Sequence, residues 1–137
     1  MWSRLNKEFV KPDFGLLVLR IFLGALIFWH GFDQCLGGSD RFIGLGKAIT
    51  YIGVNCCPLF WGIMAALSQL VGGVFFILGF LFRLACLFLI VTMFVATVMH
   101  YHMGHSFLGV TSRPLEMGIV YLGLFFIGPG KFSIDKE

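Results

Sequence analysis

Charge is scarce in this sequence. Only 12% of its 137 residues are Asp, Glu, Lys or Arg, against 58% hydrophobic. An ordinary soluble domain carries roughly twice that charge fraction, so a water-exposed fold is excluded. The ten basic residues exceed the seven acidic ones by three and nowhere form a run. With no basic patch interleaved with aromatics, a nucleic-acid surface is excluded too. No glycine-rich nucleotide fingerprint occurs, which leaves the chain without a nicotinamide or flavin site of its own. No A-x-A cleavage site follows the first apolar run, which reads as a retained membrane helix.

What the sequence has instead is 17 phenylalanines, 18 glycines and long apolar runs. A spanning helix needs about 20 largely apolar residues. Residues 14–34, 58–82 and 84–101 qualify, and residues 114–128 form a shorter fourth run. Its 15 residues would reach only ~22 Å, so it is expected to start below an interface or in a thinned bilayer. Residues 36–57 are too polar to span and predict a short interfacial helix. The expectation is an all-α membrane protein, one integral membrane domain over residues 1–137 built as a four-transmembrane-helix bundle.

Basic residues set the expected orientation. With the N-terminus inside, Arg4, Lys7, Lys11, Arg20, Arg83, Lys131 and Lys136 lie inside and Arg41, Lys47 and Arg113 outside. Seven against three favours N-in and C-in. On the second span Gly62, Ala65, Ala66, Gln69, Gly72, Gly73, Phe76 and Gly79 share one face. Small residues there let backbones approach closely, while Ile63, Leu67, Leu70, Val74 and Ile77 suit lipid.

Polar groups within apolar spans are costly and point to interiors or cavities. Arg83 reads as an anchor at the turn between spans two and three. Arg20 lies deeper and is expected either to snorkel or to pair with Asp135, pinning the C-terminal tail under the bundle. His30 and His100 each lie 16 residues above the start of their spans, which predicts similar heights. With Glu116, Asp33, Gln69, Trp29 and Trp61 they are expected to line one outer-leaflet pocket. Glu116 also fits a plain helix-start role behind Pro114.

The stretch "HYHMGH", residues 100–105, holds three of the four histidines. His100, His102 and His105 do not follow an established zinc spacing, although Met99 and Met103 make copper conceivable. Bis-histidine haem between His30 and His100 is a further alternative. Of the four cysteines, Cys86 reads as a packing residue. Cys35 with Cys56 or Cys57 would close a bridge over the polar loop in an oxidising compartment.

Three segments carry a family resemblance: "LVLRIFLGALIFWHGFDQ", the hairpin "QLVGGVFFILGFLFRLACLFLIVTMFVATVMH" and the ending "PLEMGIVYLGLFFIGPGKFSID". Together they resemble the DoxX family of small four-helix membrane proteins. That resemblance implies a multi-pass protein of the bacterial cytoplasmic (inner) membrane. It further implies a quinone-linked oxidoreductase component, a subunit working with a redox partner protein rather than a self-sufficient enzyme. Gln69 departs from the family pattern, where many relatives carry an acidic residue, and this weakens a proton relay there. The competing expectation is a non-enzymatic scaffold or a lipid- or hydrophobic-ligand-binding protein, with homo-oligomers compatible with either.

Overall fold

The computed structural model describes residues 11–136. Arg4 and Lys7, used above for orientation, lie outside the described residues. Helix α1, Pro12–Leu36, opens on a proline, where the absent N–H leaves no bond unmade. A short helix α2, Gly38–Gly46, and a 3-10 turn, Lys47–Ile52, follow. The chain then forms α3, Pro58–Leu78, and α4, Phe82–His102. A π-helical turn, Phe107–Thr111, leads into α5, Ser112–Ile127. No strand occurs among the described residues. Four helical segments are long and apolar enough to cross a membrane.

Two boundaries differ from expectation. The second span ends at Leu78, because Gly79 (φ 65°) and Leu81 (φ 44°) both adopt left-handed backbone and turn the chain there. The fourth span gains a turn ahead of the expected residues 114–128. Helix α5 itself has 16 residues, about 24 Å, and the apolar segment reaches 21 residues, Phe107–Ile127, by including the π-helical turn, whose backbone kinks at Gly109 (φ −105°, ψ −109°). The added turn contains Gly109, Thr111 and Ser112 and reads as polar loop. Ser112 Oγ nevertheless donates to the Gly109 carbonyl at 3.0 Å, and Thr111 N to Ser106 O at 3.4 Å. Those bonds satisfy the wider turn internally.

Helices α1 and α3 meet through glycine. A methyl group on Gly73 would sit 2.9 Å from the Gly24 carbonyl, and one on Gly31 2.6 Å from Leu70 N. The expected small-residue face of α3 is buried throughout except for half-buried Ala65. Helix α2 docks the same way, since a methyl on Gly62 would strike the Phe42 carbonyl and one on Gly46 that of Pro58. Larger side chains fill the remaining centre. Phe76 stacks on Phe82 at 4.9 Å and meets Tyr121 edge-on at 5.5 Å. Ile27, Cys86, Leu89, Met93 and Leu124 complete this core.

This packing makes a paired prediction. Gly73→Ala and Gly62→Ala should each lower stability by about 1–3 kcal/mol, because backbone atoms cannot retreat from the new methyl. Helical Gly44, with open space around it, should tolerate Gly44→Ala or gain a few tenths of a kcal/mol, roughly the helix-propensity difference. Thermal unfolding in detergent compares the three.

Candidate functional site

Arg20 is 1% exposed and does not snorkel. Its Nε donates to Phe76 O at 3.2 Å and Nη2 to Ile77 O at 2.7 Å. Nη1 donates to Pro129 O at 3.0 Å and Phe132 O at 2.7 Å. Its charge also attracts Asp135. That carboxylate accepts from Leu81 N at 3.1 Å and Phe82 N at 2.8 Å. The expected pinning of the tail is therefore correct, but backbone carbonyls hold the guanidinium as well. On the other side of the tail Asp13 accepts from Lys131 N at 3.1 Å. The N-terminal end of α1 and the tail thus share one end of the bundle.

The expected pocket of His30, His100 and Glu116 is not formed. His30, Trp29, Asp33 and Glu116 are all exposed on the helix surfaces. Asp33 pairs with Arg41 of α2 at 2.6 Å, and Trp29 lies against Phe32. The heights differ too. Gly31 faces Leu70, and Gly72 faces Leu89, so antiparallel counting puts His30 near the level of Val91. His100 stands nine residues further along α4, roughly 13 Å. The reason is that α1 extends about two turns past the α3–α4 turn, alongside the tail, so its start does not mark the level at which α4 begins.

The histidine stretch divides in two. Helix α4 runs through His102, whose ring stacks on Tyr51 at 5.3 Å. Gly104 (φ 77°) ends the helix, and His105 N donates back to His100 O at 3.2 Å. This closure returns the His105 ring over His100, Nδ1 to Nδ1 at 3.0 Å. His102 is therefore separate from the other two. No group of three or more His, Cys, Asp or Glu with metal-holding geometry occurs among the described residues.

Four buried polar atoms have no hydrogen-bond partner among the described residues: Gln34 Oε1, Gln69 Oε1, Trp61 Nε1 and Tyr121 Oη. Gln34 and Gln69 are 3% and 4% exposed. Gly31 abuts Gln69, its would-be methyl 3.0 Å from that Cβ, and Gln34 lies one turn beyond on the same buried stripe. Trp61 and Gln69 lie two turns apart on α3. Trp61 and His100 are each eleven residues from the Gly72–Leu89 contact and so share a level. Gln34 and Tyr121 were missed in the sequence. The stripe Gly24, Ile27, Gly31, Gln34 carried the signal for the first, at spacings of three and four.

All four cysteines are free thiols, so the expected Cys35 bridge is absent. Cys56 and Cys57 are exposed, Cys35 is half-buried and Cys86 is in the core.

Four apolar helices, one polar amphipathic connection and a polar seam inside the bundle define a multi-pass membrane protein. A family model described as DoxX matches residues 15–102, well over half of the chain, and this protein belongs to that family. No curated protein and no solved structure matches it. The ending, which supplies two of Arg20's four carbonyl partners, lies outside the matched segment.

Two outcomes check this geometry. Arg20→Leu should destabilise the fold by roughly 3–5 kcal/mol, since it strands the facing carbonyls and Asp135. Limited proteolysis should then remove the tail, whereas Lys131→Ala, an exposed pair, should leave it protected. Intact-mass labelling with a thiol reagent under native, non-reducing conditions should add three equivalents, and a fourth on unfolding.

Proposed function

We propose that this chain is a quinone-linked redox component of the bacterial cytoplasmic membrane, with both ends of the bundle's tail side facing the cytoplasm. The orientation rests on Lys11, Arg83, Lys131 and Lys136 at the tail end against Arg41, Lys47 and Arg113 at the other. The observation that carries the redox reading is the unmet hydrogen-bonding capacity of Gln34, Gln69 and Trp61 inside an otherwise apolar bundle. A quinone head group needs donors to its carbonyls and, once reduced, acceptors for its hydroxyls. Trp61 Nε1–H is a donor, and each glutamine amide offers both functions. His100, level with Trp61, suits proton exchange near neutral pH. A bound quinone would supply two-electron, two-proton chemistry, and the residues here orient it and exclude water. Electrons would come from a redox partner protein, because the chain has no nucleotide fingerprint. His30 and Glu116 take no part in this reading, and neither haem nor a three-histidine metal site is needed for it.

Two apolar grooves support a second reading, a lipid- or hydrophobic-ligand-binding protein without redox chemistry. One, of about 220 Å³, lies between α3 and α4 beside Leu67, Val71 and Phe88. The other, of about 190 Å³, lies between α4 and α5 beside Phe94 and Leu122.

Titration of a nanodisc-embedded Trp2→Phe/Trp29→Phe protein, whose one remaining tryptophan is Trp61, with short-chain ubiquinone and menaquinone analogues separates the two. Saturable quenching of Trp61, weakened at least tenfold by Gln69→Leu with helix content kept, supports the quinone site. Quenching that is unchanged by Gln69→Leu and Gln34→Leu rejects it. Equal competition by an alkyl chain lacking the head group favours the second reading.

A further inference from the structure

We propose that His100 and His105 form a two-imidazole site for a divalent transition-metal ion, Cu2+ or Zn2+, at the loop end of the bundle. The proposal shares His100 with the quinone reading but does not rest on it, because its geometry uses neither glutamine nor Trp61.

The geometry is set by the backbone. Gly104 N donates to Tyr101 O at 3.1 Å and His105 N to His100 O at 3.2 Å. This closure depends on the left-handed Gly104. On the far side Thr111 Oγ1 donates to the His105 carbonyl at 3.3 Å. His105 is thereby held from both flanks and returned onto the last turn of α4. The two rings face each other with centroids 5.1 Å apart and planes inclined by 37°.

The Nδ1 atoms lie 3.0 Å apart. Zinc–nitrogen bonds of ~2.0–2.1 Å place two imidazole nitrogens roughly 3.3 Å apart at a tetrahedral angle. Near a right angle, the tetragonal arrangement of Cu2+, similar bond lengths place them roughly 2.9 Å apart. The observed separation falls between these, so a small ring rotation admits either ion. Without metal, one Nδ1–H donates to the other Nδ1. On binding, the ion takes both Nδ1 lone pairs, the protonated ring changes tautomer, and its proton ends on Nε2. No redox step is involved, and the remaining positions are filled by water, since His105 is exposed.

Chemistry narrows the ion. Two neutral imidazoles suit copper and zinc, whereas Mg2+ and Ca2+ require oxygen ligands. With two protein ligands the site is exchangeable rather than a structural staple. His102 is not a third ligand, because its ring is stacked on Tyr51 with planes 11° apart.

The test uses the tag-free full chain in nanodiscs, in a Cys35→Ser/Cys56→Ser/Cys57→Ser background that removes the accessible competing thiols. Calorimetry with Zn2+ and electron paramagnetic resonance with Cu2+ should show one ion per chain, with hyperfine splitting from coordinated nitrogen. His100→Gln and His105→Gln should each weaken binding at least tenfold, while His102→Gln and His30→Gln leave it unchanged. Should His100→Gln fail to fold, the exposed His105→Gln variant carries the test alone. Absence of stoichiometric binding, or an equal loss in His102→Gln, overturns the proposal.

Discussion

A single buried guanidinium determines how this bundle closes. Arg20 brings a positive charge into an apolar interior, where an unsatisfied ion is very costly. Two of its four acceptors are carbonyls at the C-terminal end of α3. There Phe80 N pairs with Phe75 O and Gly79 N with Phe76 O, while Arg20 takes Phe76 O and Ile77 O. Ile134 N and Asp135 N take Leu78 O and Gly79 O. Every carbonyl from Phe75 to Gly79 is therefore matched, as a helix end away from water requires. The tail is drawn in by the same accounting, and Asp135 then caps the first amides of α4. A cation at one helix's C-terminus and an anion at the next one's N-terminus both follow the helix dipoles.

The consequence is a molecule with two unlike ends. At the tail end Ser133 Oγ lies 2.6 Å from both the Gly130 and Asp135 carbonyl oxygens, and Asp13 holds Lys131. Toward the loop end, α2 presses glycine to glycine against α3, and Gln34, Gln69 and Trp61 stay unmatched beneath it. Glycine produces both results. It lets α1 and α3 approach until a methyl on either Gly24 or Gly73 would lie 2.9 Å from the other's carbonyl oxygen, which leaves no room there for side chains to answer the amides.

Much of this was legible in the sequence. The α3 glycine face was visible because small residues at helical spacing have one dominant use in a membrane, and Arg20 was visible because a lone charge in an apolar run needs an explanation. Heights were not legible. Counting His30 and His100 from the ends of their runs assumed that all helices start at one level, and the tail lying beside the first turns of α1 breaks that assumption. The turn ahead of the fourth span was not legible because Ser106, Gly109, Thr111 and Ser112 read as a loop until their groups are seen bonding within a widened turn. His100 and His105 could be paired only once Gly104 was known to reverse the chain, since local spacing alone sets His100 and His102 on one helix.

The polar atoms left unmatched gain meaning from those that are not. Ser68, Thr92 and Thr97 each lie in an apolar span, and each returns its hydroxyl to the carbonyl four residues back, at 2.7, 2.9 and 2.8 Å. A short hydroxyl side chain can always do this, so its presence in a membrane helix needs no partner and marks no site. A glutamine amide has two functions on a longer arm, and an indole N–H is carried on a rigid ring. Neither is satisfied so easily by its own helix. Among the described residues Gln34 Oε1, Gln69 Oε1 and Trp61 Nε1 are therefore polar atoms on α1 and α3 that local backbone bonding does not absorb, and the quinone reading proposed above answers them with donors to the amide oxygens and an acceptor for the indole N–H. A purely apolar tail in the lipid-facing grooves meets neither need; a ligand with a polar, two-ended head meets both.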